Sequence, residues 1–318
     1  MATAALDLAS QALAHTLVAM ALVQAVTRRL PVTEPGPRFA YGLFILVAPL
    51  LLGPLFAVAA PFRLSPEFAD VALLSSRRWD TLTLGGLGLR AILLVPIVAV
   101  ALVLLLRDVL RLVRPWWREH QLLGHPLPDD HDEVRAVQAR VARLAVALGI
   151  RPPRVDLIET DAAVLHCHGL VRPTIVVARG LLATLSPAQI EAALAHELAH
   201  LAHRDVLRTW ILMALRVVHW FNPLAQVVAR RAAQELEWRA DDTAARVTGQ
   251  PLALARALVT CMRTRDTQFL GLVGRSQIVT LEERCRRLLD PPPTAHRAWA
   301  VDFALVAITV AVVAFFVV

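Results

Sequence analysis

Apolar residues follow two different rhythms along this chain. Near both ends they run almost without interruption, and between those stretches they recur every three or four positions. From Phe39 to Phe62 no charged side chain occurs over 24 positions, enough for a helix to cross a hydrocarbon layer about 30 Å thick. Pro49, Gly53 and Pro54 would kink that helix, which membrane helices tolerate. Residues 81–106 carry Arg90 as their one charge, and Ala91–Leu106 is wholly apolar. Arg90 can snorkel toward one interface, so residues 87–106 predict a second span. Residues 8–27 are diluted by Ser10, Gln11, His15, Thr16 and Gln24 but still predict a span; with no basic residue ahead of it, a cleaved signal peptide is not expected. Ala298–Val318 has Asp302 as its only charge and follows Pro291-Pro292-Pro293, predicting a fourth span.

The intervening region reads as helices and short strands. Val134, Val137, Val141, Leu144 and Leu148 mark an amphipathic helix over 132–148, ended by Gly149. Short β-rich runs follow at 154–159, 162–168 and 173–178. Ser186-Pro187-Ala188-Gln189 predicts a capping box opening a helix through Ile190, Leu194, Leu198 and Leu201. Asn222-Pro223 predicts a helix stop and restart, the second helix running to about Val247. Residues 206–221 are apolar apart from Arg208, Arg216 and His219. They form either a core helix of the domain or a segment resting against the bilayer, and the three polar side chains favour the core helix over a lipid-facing span. Pro251 opens another helix, and Thr280-Leu281-Glu282-Glu283 reads as the capping box of a last one. The fold class expected is α+β within a polytopic helical membrane protein: a three-span region over 1–118, a domain over 119–296 and a span over 297–318.

Composition supports the spans. Hydrophobic residues make up 57% of the 318 positions, and mean hydropathy is +0.55, above the 45–50% apolar share typical of soluble domains. All basic side chains are arginine. Arg107, Arg111, Arg114, Arg118, Arg284, Arg286, Arg287 and Arg297 flank the central domain, while residues 1–7 have none, so the positive-inside rule predicts a cytoplasmic domain with both termini outside. The net charge of +7 sits beside spans without interleaved aromatics, which points to the lipid bilayer and not to direct nucleic-acid binding. Cys167, Cys261 and Cys285 form no C-x-x-C pair and fit a reduced compartment. Alternation in a strand sends His166 and His168 to one face and Cys167 to the other.

Chemistry concentrates at His196-Glu197-Leu198-Ala199-His200. On a helix His196 and His200 stand about 40° apart around the axis and about 6 Å along it, so two imidazoles can reach one ion. Glu197 stands beside that ion, where a general base would act. A zinc ion held by two histidines and a third protein ligand keeps a position open for water and lowers its pKa to about 7. Peptide-bond hydrolysis is the reaction expected. On the following helix Glu237 and Asp241 share a face; Glu237 is taken as the third ligand and Asp241 as an acceptor for a ligand imidazole N–H. His203 shares the face of His196 but lies about 10 Å along the helix, too far for the same ion. The third histidine of an H-E-x-x-H-x-x-G-x-x-H site would fall at Val206.

These residues together carry a family resemblance. His196-Glu197-Leu198-Ala199-His200 with Arg204-Asp205, then Trp220-Phe221-Asn222-Pro223-Leu224, then Glu237-x-x-x-Asp241, resembles the BlaR/MecR-type antirepressor zinc metallopeptidases over residues 125–290. The resemblance implies a gluzincin-like domain with zinc on His196, His200 and Glu237, Glu197 as base, and Asp241 and Asp205 behind the ligands. It implies that Thr174–Ala178, after Gly169-Leu170-Val171-Arg172-Pro173, is the strand along whose edge an extended substrate lies. It also implies cleavage of a BlaI/MecI-like transcriptional repressor. Antirepressors of this type carry an outer sensor after the last span, and none is expected here beyond Val318. Ala240 stands where that family usually has Cys, and in this the chain looks like the HtpX and CAAX-protease type, which is engaged in membrane-protein quality control. Enzymes of that type insert two spans between the halves of the site; from His200 to Glu237 is 37 positions, and two spans need about 40 residues. A non-proteolytic, zinc-stabilised transducer is a further reading. His219 and Arg239 are candidates for stabilising an oxyanion.

Overall fold

The computed structural model describes residues 2–29, 32–73, 75, 82–84, 87–122, 127–128, 131–161, 164–169, 172–263, 278–292 and 299–318. Of the positions singled out above, Leu170, Val171, Pro293, Arg297 and Ala298 lie outside the described residues, as do the start of the 81–106 stretch and residues 162–163 of the 162–168 run. The described residues are mostly helical, with a two-stranded antiparallel ribbon and a three-stranded mixed sheet. In order it forms α1 (Ala2–Arg29), α2 (Pro35–Ala59), a 3-10 turn (Pro61–Leu64), α3 (Pro66–Val71), β1 (Thr83–Leu84), β2 (Leu87–Gly88), α4 (Leu89–Leu122), α5 (Asp132–Ala147), β3 (Arg154–Ile158), β4 (Leu165–His168) and β5 (Thr174–Ala178). Then follow α6 (Arg179–Thr184), α7 (Pro187–Ala202), α8 (Asp205–Val218), α9 (Pro223–Thr248), α10 (Pro251–Arg263), α11 (Ile278–Leu289) and α12 (Trp299–Phe315). These elements fall into two compact units.

The first unit comprises Met1–Asp108, Leu212–Ala232 and Thr294–Val318. Ala9–Arg29 and Pro35–Ala59 are long and apolar enough to cross a membrane; Ile92–Leu106 and Trp299–Phe315 are shorter apolar helical stretches. α1, α2 and α12 pack together. On α12 the buried residues Asp302, Val306, Val310 and Ala314 fall four apart and so form one face. At one end of the group Phe303 packs against Tyr41, Phe44 and Trp299. At the other, the buried Arg63 guanidinium lies over Phe56 and beside Phe315. It donates to the carbonyls of Phe315 at 2.7 Å and Val317 at 3.0 Å, satisfying groups that the end of α12 leaves unpaired.

Of residues 206–221, Val206–Ile211 fall in the second unit and Leu212–Phe221 in the first, with the apolar helices. The objection from polar side chains fails because Arg216 and His219 face inward, where Gln226 and the Leu46 carbonyl receive them.

The second unit comprises Val109–Ile211 and Ala233–Pro293. Its sheet has the order β3-β5-β4, with β5 parallel to β3 and antiparallel to β4. Ile175 to Ala178 are all buried, as befits a strand paired on both sides. The sequence expectation that Thr174–Ala178 offers its edge to a substrate is therefore corrected. β5 is central and β4 is an edge strand. α5 buries Val134, Val137, Val141 and Leu144 against α7 and β3, and Gly149 follows its end at φ 68. α7 packs against α5, β4 and α10, so the helix bearing the H-E-x-x-H sequence is held on several sides. α11 already runs at Ile278, which puts Thr280 within the helix and not at its cap.

Candidate metal centre

The start of α7 is closed by the expected capping box: Ser186 Oγ accepts from Gln189 N–H at 3.4 Å and Gln189 Oε1 accepts from Ser186 N–H at 2.8 Å. The helix then turns His196 and His200 to one side, their Nε2 atoms 3.2 Å apart. α9 brings Glu237 to the same point, with its carboxylate oxygens 3.7 Å from His196 Nε2 and 3.6 Å from His200 Nε2. For ligand distances of about 2.1 Å, the edges of a tetrahedron measure about 3.4 Å. The three side chains thus form one face of a site that can hold a metal ion.

Each imidazole is oriented from behind. His196 Nδ1 lies 3.0 Å from Asp241 Oδ1, and His200 Nδ1 lies 2.9 Å from Asp205 Oδ2. A carboxylate at Nδ1 holds the proton there and leaves the Nε2 lone pair directed at the shared point. Asp205 can reach back because Arg204 adopts φ 54, a left-handed turn between α7 and α8. Arg208 and Arg239 hold Asp205 on its other side. Burial depresses His200, but the Asp205 hydrogen bond and the Glu237 and Glu197 charges outweigh it and hold its pKa at about 9 without metal.

The sequence reading missed Arg284. From α11 its Nε and Nη2 each contact Asp241 at 2.7 Å, and Nη1 lies 3.1 Å from Glu237 Oε2. Its Nη2 stands 3.4 Å from His196 Nε2. Burial opposes the charge on Arg284, yet Asp241 and Glu237 raise its pKa further; burial likewise opposes the Asp241 charge, and Arg284 outweighs it, holding that carboxyl well below the usual range. One signal could have pointed to it. Glu197, Asp205, Glu237 and Asp241 together outnumber the charge of a divalent ion, so a buried cation was required.

The remaining candidates are placed as follows. Glu197 lies close enough to act on the charges of His200 and Arg284 and on the Cys167 thiol. That thiol is pushed up to about 12, by burial first and then by Glu197, so Cys167 is a neutral group on β4 near the general-base position. His203 Nε2 pairs with Thr243 Oγ1 at 3.0 Å, away from the shared point. Arg239 is bound to Asp205, and His219 to the Leu46 carbonyl at 2.8 Å. Neither oxyanion candidate joins the three ligands; Arg284 does.

Comparison with known proteins points the same way. The family model described as BlaR1 peptidase M56 matches residues 90–284. A protease HtpX homolog from Acidiphilium cryptum is 32% identical over 154 residues, covering 38% of this chain and 54% of the relative. One from Thermococcus sibiricus is 27% identical over 186 residues, covering 46% and 61%. The regulatory protein BlaR1 of Bacillus licheniformis is 33% identical over 73 residues, covering 23% and 12%. The chain thus spans roughly half the length of the HtpX homologs it matches.

Proposed function

Since the chain belongs to the BlaR1 peptidase M56 family of membrane metallopeptidases, we propose that it is a zinc-dependent endopeptidase whose second unit works on the cytoplasmic side of the membrane. The observation that carries this reading is the convergence of His196 Nε2, His200 Nε2 and the Glu237 carboxylate, with Asp241 and Asp205 fixing the two rings. Two nitrogens and one carboxylate oxygen are a donor set that suits zinc with an open position. Zinc bound there supplies a Lewis acid that polarises the scissile carbonyl and acidifies a water.

The chain's own residues do the rest. Glu197 takes the proton from the attacking water and passes it to the leaving nitrogen. β4, the edge strand of the sheet among the described residues, offers its outer side to the main chain of an extended substrate, giving binding with little side-chain selectivity. The neutral Cys167 thiol on that strand adds no charge to the site. Arg284 keeps Glu237 and Asp241 in place and sets a permanent positive charge beside the reacting carbonyl, where negative charge develops.

The membrane arrangement proposed is four spans, from α1, α2, α4 and α12, with both termini outside and arginine-rich flanks inside. The biological role proposed is signalling by cleavage of a cytoplasmic, BlaI/MecI-like transcriptional repressor. Ala240 and the HtpX homologs among the relatives favour a second reading, quality control of membrane proteins. Comparing proteins cut in membranes bearing the wild type with those bearing Glu197→Gln separates the two. One soluble DNA-binding protein cut only by the wild type supports signalling, and many membrane proteins cut support quality control.

A further inference from the structure

The turn between α8 and α9 sets polar side chains among apolar helices. His219, Asn222 and Gln226 are each 0% exposed. His219 Nε2 lies 2.8 Å from the Leu46 carbonyl oxygen, and Asn222 Nδ2 donates to Thr16 Oγ1 at 2.9 Å. Gln226 braces the hairpin from within: it donates to the carbonyls of Arg216 and His219 and accepts from Arg216 Nε at 3.0 Å.

These partners fix the depth of the hairpin within its unit. Leu46 is near the middle of the 25-residue α2, about 16 Å from its start and about 20 Å from its end at 1.5 Å per residue. Thr16 falls within the apolar stretch Ala9–Arg29 of α1, about 10 Å from one end and about 20 Å from the other. From the tip α9 runs back toward the start of α2, where a Cβ at Gly42 would stand 3.1 Å from Ala232 Cβ. Arg230 Nη2 donates to the carbonyl of Leu104, two residues short of the end of the apolar run Ile92–Leu106.

The outward face of the hairpin is apolar from α8 through the tip, and the exposed Arg231 stands at its base, one residue from the end of the segment. Val217 and Val218 are 52% and 51% exposed, and Trp220 at the tip is 46% exposed. They alternate at helical spacing with the buried Leu212, Arg216 and His219. This helix turns its polar groups inward and its apolar groups outward, the reverse of a helix covering a water-soluble core.

We infer that residues 212–232 form a re-entrant hairpin inserted in the bilayer beside α1 and α2, with Val217, Val218 and Trp220 against lipid acyl chains. The inference rests on the membrane-crossing reading of α1 and α2 given above. Hydrocarbon is the occupant because the tip lies about 10 Å or more from either end of both apolar stretches, where a crossing helix is surrounded by lipid. A helix satisfies its own backbone, so insertion asks only that polar side chains find protein partners and outward ones be apolar. The 36 residues between His200 and Glu237 are too few for two full spans but leave room for two half-depth arms of about 10 residues each.

The test uses the full chain in phospholipid vesicles, with Cys167, Cys261 and Cys285 replaced by serine and single spin labels at Val217→Cys and Trp220→Cys. Leu51→Cys, on the exposed face of α2, serves as the lipid reference and Val146→Cys, on α5, as the aqueous one. Labels at 217 and 220 should match 51, with high collision rates for oxygen and low rates for a water-soluble nickel chelate, while 146 shows the opposite. Nickel access at 217 and 220 with 51 still lipid-like overturns the hairpin inference and leaves the spans standing. Shielding of 217 and 220 from both reagents means protein covers this face and also overturns it. Nickel access at 51 overturns the membrane reading of α2 and this inference with it. In the unsubstituted chain, a photoactivatable phospholipid should crosslink within 212–220; crosslinks confined to other segments contradict the inference without relying on any variant.

Discussion

Arg284 and Asp241 form a buried two-point ion pair, both contacts at 2.7 Å, with Asp241 behind the His196 imidazole at Nδ1 and Arg284 reaching its Nε2 side. The arginine also reaches Glu237, so one guanidinium fastens two of the groups that define the candidate metal centre.

Arg284→Ala should therefore damage both fold and site. Leaving Asp241 buried without its cation costs about 3–5 kcal/mol, and Glu237 loses a restraint. Arg284→Lys keeps the charge but cannot make two parallel contacts, so it should fall between wild type and alanine. Thermal unfolding and metal content, measured together on the three chains, check this order.

Asp205→Asn should weaken metal binding and also lower stability, because the largely buried Arg239 loses its carboxylate partner. The His200 Nδ1 proton loses its carboxylate acceptor, and disturbing such a partner lowers metal affinity by about 10–100-fold. Competition against a zinc-sensitive dye gives the number directly.

The pKa of about 9 at His200 makes metal binding a proton exchange. Metal must displace that proton, so apparent affinity should fall about tenfold for each pH unit below about 9. Stability without metal runs the other way. His200 is raised above its ordinary 6.5, so its contribution is full below about 6.5 and is lost as pH rises through about 9. The chelator-treated chain should unfold at a lower temperature at pH 9.5 than at pH 6, and the zinc-loaded chain should show the reverse.

If β4 binds substrate through its main chain, N-methylation of peptide amides that pair with it should slow cleavage. Each lost bond is worth about 0.5–1.5 kcal/mol, or about 2- to 13-fold in kcat/KM. Methylation at positions remote from the cleavage point should have no effect.

Local signals in the chain carried much of the architecture. The Ser186 capping box, the Val134 to Leu144 stripe and the i, i+4 pairs on α7 and α9 are determined by neighbours in sequence, and the helices formed as that chemistry requires. What escaped depends on pairings across long separations. Which side of the sheet β5 occupies is set by the parallel pairing of β5 with β3, and the periodicity of residues 174–178 is the same for a central strand as for an edge. Arg284 lies 43 residues from Asp241 and 88 from His196, and in the chain it looks like any other arginine near a membrane. The polarity of Arg216 and His219 argued for a soluble core until their partners, Gln226 and the Leu46 carbonyl, were in place.

The central claim is that Glu197 serves as the base of a zinc peptidase built on His196, His200 and Glu237. Its most direct test is cleavage of an unfolded protein by the detergent-purified, zinc-loaded chain beside Glu197→Gln. The account predicts equal zinc content in the two, cutting by the wild type, and none by the variant. Cutting by Glu197→Gln at the wild-type rate would contradict the assigned base, and zinc-loaded chains that both fail to cut would put the non-proteolytic transducer in the enzyme's place.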